Sequence, residues 1–106
     1  MPYLHRMEVE INDRTLRLIY SDTSAVAPFP TGVVRRFRFV VGLIKGAVDE
    51  RDFRAFGKGL GFEKLKGARS HQCAFRLNDQ FRLIVQIRGE APRKTVEVIE
   101  IVDYHD

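Results

Sequence analysis

Apolar and polar residues alternate near the start of the chain and again over its last half, with a helical spacing in between. Residues 7–11 alternate apolar side chains with glutamates, which is typical of a half-buried strand. Residues 12–22 fit both periods, so the pattern alone leaves open a strand and a helix that begins behind Asn12. Residues 23–30 contain two prolines and are predicted to form a loop.

A helical period follows this loop. We expect Thr31 to cap a helix that buries one apolar face and ends near Gly46. A second, shorter helix is predicted to begin at Asp49 and to turn Phe53 and Phe56 inward. The apolar face of the first of these helices comprises Val33, Val34, Phe37, Val40, Val41 and Ile44.

The second half of the chain has the period of strands. Residues 62–65 are predicted to pair briefly, and residues 72–78 and 81–88 to form a hairpin. Residues 95–102 form the last predicted strand, reached through a loop over 89–94. This order predicts a single α+β domain with two or three helices on one face of a mainly antiparallel sheet of four to five strands.

The register of the hairpin decides whether two arginines share a face. A three-residue turn over 78–80 makes Arg76 and Arg82 cross-strand neighbours, whereas a two-residue turn places them on opposite faces. Adjacent guanidinium groups repel each other unless an anion lies between them, and paired arginines fit a phosphate bidentately. The three-residue register is therefore a hypothesis with a functional consequence.

Charge is unevenly distributed along the 106 residues, which carry a net +4. Residues 58–94 contain nine basic and three acidic residues, a local charge of +6, and the rest of the chain sums to −2. A concentrated positive segment favours a polyanionic partner, with RNA or DNA first among the candidates. A solvated basic face without a ligand fits the composition equally well.

Cysteine content and hydropathy exclude several classes of protein. Cys73 is the single cysteine, so neither an internal disulfide nor a cysteine-based zinc site is expected. No apolar run approaches the ~20 residues that span a membrane, and the first residues lack the apolar core of a signal peptide. We therefore expect a cytoplasmic protein with no membrane partner.

Two segments carry a resemblance to a known family. Residues 62–87 (FEKLKGARSHQCAFRLNDQFRLIVQI) and 96–106 (VEVIEIVDYHD) resemble the HigB branch of the RelE/ParE superfamily of bacterial toxins. The similarity extends more loosely to the helical region and the opening strand. Three short signatures agree in order and spacing: LKG at 65–67, R-x-N-D-Q-aromatic-R at 76–82 and DYH at 103–105.

The resemblance implies a small RelE/ParE-like toxin domain that is a ribosome-dependent mRNA endonuclease and uses no metal or other cofactor. Its implied partners are the ribosome, mRNA and a cognate HigA-like antitoxin with a helix-turn-helix that holds the toxin inactive. The resemblance also favours a helix for residues 13–20. It implies catalytic roles for Lys66, Arg82, Asp103, Tyr104 and His105, and RNA-binding roles for Lys64, Arg69 and Arg76.

The chemistry of these residue types is consistent with that reaction. Cleaving RNA without a metal requires removing a 2′-OH proton, stabilising charge on the phosphate and protonating the leaving 5′-oxygen. A histidine such as His105, with an ordinary pKa of about 6.5, exchanges protons near neutral pH. Tyr104 can donate a hydrogen bond or act as a base, and Asp103 can orient a neighbour. Lys66 and Arg82 would supply positive charge to the transition state.

Two other functions remain open at this point. The superfamily includes proteins that poison DNA gyrase and have no catalytic activity of their own. These relatives generally lack a Tyr-His pair near the end of the chain, which this sequence has at Tyr104 and His105. A non-catalytic nucleic-acid-binding module is the third alternative.

Overall fold

In the computed structural model, which describes residues 5–55 and 58–104, three α-helices pack on one five-stranded sheet. The helices are α1 (Arg14–Ser21), α2 (Thr31–Gly46) and α3 (Glu50–Ala55), and the strands are β1 (Glu8–Ile11), β2 (Glu63–Lys64), β3 (Cys73–Arg76), β4 (Phe81–Glu90) and β5 (Arg93–Asp103). The strand order is β1-β5-β4-β3-β2, with β1 parallel to β5 and the other neighbours antiparallel. The predicted α+β architecture is confirmed.

Helix α1 resolves the ambiguity that the pattern left over residues 12–22. Its buried residues are Leu16 and Ile19, which lie three positions apart and therefore on one side of a helix. The residue that caps it is Asp13, not Asn12 as the sequence suggested, because the Asp13 carboxylate accepts a hydrogen bond from the Leu16 N–H at 2.9 Å.

Helix α2 buries the apolar face that its spacing predicts and ends at Gly46. The prediction that Thr31 caps this helix is wrong, since Thr31 is its first helical residue and Pro30 occupies the capping position. The Pro30 carbonyl accepts hydrogen bonds from the Val33 and Val34 N–H groups. None of the helices in the described part of the chain is long and apolar enough to cross a lipid bilayer.

The core lies between the helices and one face of the sheet. Phe53 of α3 is fully buried, as predicted, while Phe56 lies outside the described residues. Phe53, Phe62 and Phe75 form an aromatic cluster in which each pair of ring centroids is 5.1 Å apart. These contacts hold α3 and the segment before β2 against the centre of β3.

We expect Phe75→Ala to lower the free energy of unfolding by about 3–5 kcal/mol, because it leaves a cavity within this aromatic cluster. Urea unfolding followed by circular dichroism measures the change. Phe39→Ala is the matched control, since the Phe39 side chain on α2 is 54% exposed. Equal losses from the two substitutions would contradict the placement of the core.

The β4–β5 hairpin is longer and tighter than the sequence suggests. The prediction of a loop over 89–94 is wrong, because ladder pairing continues to Glu90 and Arg93 and leaves two residues at the turn. Gly89 permits this with φ of +84°, at a place where a Cβ atom would lie 2.7 Å from the Arg93 carbonyl oxygen. At its other end the same ladder pairs Phe81 with Asp103.

Candidate functional site

Two arginines lie side by side on the sheet face opposite helices α1, α2 and α3, here called the outer face. Arg76 of β3 pairs with Arg82 of β4, and the Leu77 N–H donates to the Phe81 carbonyl at 3.0 Å. The neighbouring pair, Phe75 and Leu83, is fully buried in the core. Because side chains alternate along a strand, both arginines point to the outer face. The three-residue register is confirmed.

Acceptors from the β3–β4 turn, residues 77–80, relieve the repulsion between the two guanidinium groups. The Asp79 carboxylate forms an ion pair with Arg76. Nη1 of Arg82 donates to the Asn78 carbonyl at 2.5 Å and to the Phe81 carbonyl at 3.1 Å. Arg82 thus bonds to neutral oxygens, and no carboxylate within the described ranges forms an ion pair with it.

The end of β5 lies beside this arginine pair. Val102 pairs with Arg82, and the Tyr104 N–H donates to the Gln80 carbonyl at 2.6 Å. Nε2 of Gln80 donates to Oδ2 of Asp103 at 3.0 Å, and the Arg82 guanidinium carbon lies 5.5 Å from the centroid of the Tyr104 ring. The structure therefore brings Arg82 and Tyr104 together, whereas Asp103 pairs with Phe81 and, like that residue, lies on the helix side of the sheet. His105 lies outside the described residues.

Arg69 reaches the outer face from the turn between β2 and β3. Its Nη2 donates to Oε2 of Glu100 on β5 at 3.1 Å, and its Nη1 donates to Oε1 of Gln72 at 2.8 Å. Glu100 pairs with the fully buried Ile84 of β4, so the Arg69 side chain extends across β4. Lys66 is exposed just before this turn, a 3₁₀ helix over Gly67–Arg69.

Lys64 lies on the other side of the sheet. It pairs with Cys73, whose side chain belongs to the helix-side core, so Lys64 is on that side as well. It lines a cavity of about 270 Å³ together with Glu50 and Lys94. Burial raises the pKa of the Cys73 thiol, while the nearby Lys64 ammonium opposes that shift. The structure thus separates Lys64 from Arg76 and Arg82.

The basic segment 58–94 is partly neutralised in the folded chain by acids from other elements. Arg88 pairs with Glu10 of β1 at 2.6 Å and lies 3.8 Å from Glu97 of β5. Hydrogen bonds from Asn12 and Arg88 lower the pKa of Glu10. A charge count along the sequence therefore overstates the positive charge of the sheet face.

The sequence predicts the β3–β4 turn and places it within a family signature but assigns no role to its residues, although they contact the candidate site. Asn78, Asp79 and Gln80 each bond to a different member of that site. The signal was the run of three polar residues, N-D-Q, between two arginines, but which contacts a turn makes depends on the register. Within residues 5–55 and 58–104, no group of three or more His, Cys, Asp or Glu side chains is placed to hold a metal ion.

Comparison with known proteins identifies the fold. No protein-family model and no curated protein matches the sequence. Among solved structures, the chain is similar to a YoeB/ParE toxin from Agrobacterium tumefaciens, with a TM-score of 0.59 and 14% sequence identity, covering 93% of this chain and 100% of that one. At this identity the likeness concerns the fold, which is the α+β fold of that small toxin.

Proposed function

We propose that this protein is the toxin of a toxin–antitoxin pair and acts as a ribosome-dependent mRNA endonuclease in the cytoplasm. The observation that carries the proposal is the contact of Arg82 with Tyr104 beside Arg76 on the outer face, with Asp103 at the end of the neighbouring strand. The resemblance of the same residues to HigB toxins and the shared toxin fold support it. Its proposed partners are the ribosome, mRNA and a HigA-like antitoxin.

In the proposed reaction the scissile phosphate binds at the arginine pair. A phosphate displaces the Asp79 carboxylate from Arg76, an exchange that costs little because the Asp79 side chain is 94% exposed. The Arg82 guanidinium, which bonds only to carbonyl oxygens among the described residues, offers its remaining N–H groups to the phosphate oxygens. Lys66 adds positive charge as the pentavalent phosphorus forms.

Proton transfer completes the proposed mechanism. A base from the pair Tyr104 and His105 takes the 2′-OH proton, and the 2′-oxygen attacks phosphorus. The bond from phosphorus to the 5′-oxygen breaks, and the other member of the pair protonates that oxygen. Asp103 helps to orient Tyr104 through its hydrogen bond with Gln80. The products are a 2′,3′-cyclic phosphate and a free 5′-hydroxyl.

Because Arg69 and Lys64 lie on opposite sides of the sheet, we expect their loss to affect RNA binding differently. The resemblance assigns RNA contacts to both Arg69 and Lys64, but only Arg69 lies on the outer face. We expect Arg69→Ala to flatten the log–log salt dependence of ribosome affinity by about 0.7, the value for one phosphate contact on single-stranded RNA. Lys64→Ala is the matched control and should change the slope by less than half as much. Equal changes would mean that RNA contacts both sides of the sheet.

The function is tested by inducing the protein in a bacterial cell and mapping mRNA ends by primer extension. The proposal expects new ends in register with codons, which disappear when translation initiation is blocked. Intact mRNA accompanied by DNA breaks would instead favour the gyrase-poisoning alternative. Intact mRNA and intact DNA would favour a non-catalytic nucleic-acid-binding module.

A further inference from the structure

The β3–β4 turn fixes the direction in which the chain leaves β5. Chain segments beyond the end of a strand fray unless a contact holds them. Here Gln80 makes two such contacts, because its carbonyl accepts the Tyr104 N–H at 2.6 Å and its side-chain amide donates to Asp103 at 3.0 Å. Strand pairing stops at Phe81 and Asp103. The two bonds are therefore made by the last paired residue of β5 and by the residue that follows it.

The same turn holds the arginine that faces this segment. Oδ1 of Asn78 accepts hydrogen bonds from the Gln80 and Phe81 N–H groups at 2.8 and 2.7 Å, which fixes the turn conformation. The Asn78 carbonyl accepts from Arg82. The turn therefore contacts both the guanidinium of Arg82 and the backbone of Tyr104, whose ring centroid lies 5.5 Å from the Arg82 guanidinium carbon.

We propose that Gln80 is a positioning residue for the candidate active site, acting through Asp103 to hold Tyr104 against Arg82. The inference rests on the proposed function. A glutamine suits this role because its neutral amide donates to a carboxylate without adding charge next to the bound phosphate. Acid–base groups must be held closely in place to act, so loosening the segment lowers the rate of cleavage rather than the affinity for RNA.

The test compares Gln80→Ala with Gln86→Ala, a matched change at a half-buried glutamine on β4. In single-turnover cleavage of mRNA on purified ribosomes, Gln80→Ala should lower the rate at saturating toxin by about tenfold, as expected for loss of one hydrogen bond to a carboxylate. The toxin concentration at half-maximal rate should stay within twofold of wild type. Gln86→Ala should leave both quantities unchanged.

A double-mutant cycle tests the route through Asp103. If Gln80 acts through Asp103, Gln80→Ala should have almost no further effect on the residual rate of Asp103→Ala. A full tenfold loss in both backgrounds would overturn the proposal and indicate that Gln80 contacts RNA directly. An unchanged rate in Gln80→Ala alone would overturn it as well.

Nuclear magnetic resonance relaxation tests whether Gln80 holds Tyr104 in place, independently of the proposed function. We expect the amide order parameter of Tyr104 to be near that of a strand, about 0.8, in the wild type and to be lower in Gln80→Ala, which removes the bond to Asp103 but keeps the backbone bond to Tyr104. If the wild type cleaves no mRNA, the proposed function fails and the positioning role in catalysis fails with it. An order parameter that does not change in Gln80→Ala would overturn the proposal that the Gln80 side chain holds Tyr104 in place, whatever the activity of the wild type.

Discussion

Deleting residues 104–106 is expected to abolish growth arrest and to lower mRNA cleavage by at least about a hundredfold, because it removes both proposed proton-transfer groups. Folding should change little. The last strand ends at Asp103, and Tyr104 is 40% exposed and contributes one backbone hydrogen bond to Gln80. We expect the free energy of unfolding to fall by less than about 1.5 kcal/mol. Induction assays and urea unfolding measure the two effects.

Deletion of Asp106 alone is the control for this truncation, since it keeps Tyr104 and His105. It should leave growth arrest intact. A folded protein without residues 104–106 that still arrests growth as strongly as the wild type would exclude Tyr104 and His105 from the chemistry. A truncated protein that fails to fold would contradict the claim that Tyr104 is peripheral to the core.

Arg82→Ala is expected to lower the cleavage rate on ribosomes by about a hundredfold to a thousandfold, the usual loss when one donor to a charged transition state is removed. Arg82→Lys should recover only part of the rate. The ammonium of lysine is a point charge and cannot offer one N–H to the Asn78 carbonyl while presenting a planar pair of donors to the phosphate. Single-turnover cleavage rates of the three proteins provide the measurement.

Arg88→Ala is the matched control for Arg82, because both residues lie on β4 and on its outer face. Arg88 differs in that it is already paired with Glu10 and lies near Glu97, away from the arginine pair. Its loss should leave the cleavage rate within about twofold of wild type, since screened surface pairs contribute little. Full activity of Arg82→Lys would mean that Arg82 acts as a point charge or is structural.

The elements that the sequence predicts best are those with a clear apolar periodicity, although a bulge at Ile84 and Val85 interrupts the regular pairing of β4 with β5. The apolar face of α2 and the alternation of β4 and β5 gave the architecture because burial selects their side chains directly. To predict whether Arg76 pairs with Arg82, one must know the length of the β3–β4 turn. The pattern left this length open between two and three residues. The Arg76–Arg82 pairing shows that three is correct.

The boundaries of helices and strands, and contacts between residues far apart in the sequence, are harder to predict from the sequence. Asn12 and Asp13 are both good capping residues, and only the path of the chain decides between them. Lys64 lies in a two-residue strand, and a strand that short carries too little alternation to reveal its face. The salt bridge from Arg69 to Glu100 joins residues 31 positions apart, so no local pattern reports it.

The most direct test of the central claim uses purified protein, translating ribosomes and one defined mRNA. We predict that the wild type generates new 5′-hydroxyl ends at codon-spaced positions and that free mRNA without ribosomes stays intact. At equal ribosome occupancy, Arg82→Ala should produce such ends at least about a hundredfold more slowly. Intact ribosome-bound mRNA with the folded wild-type protein would contradict the account.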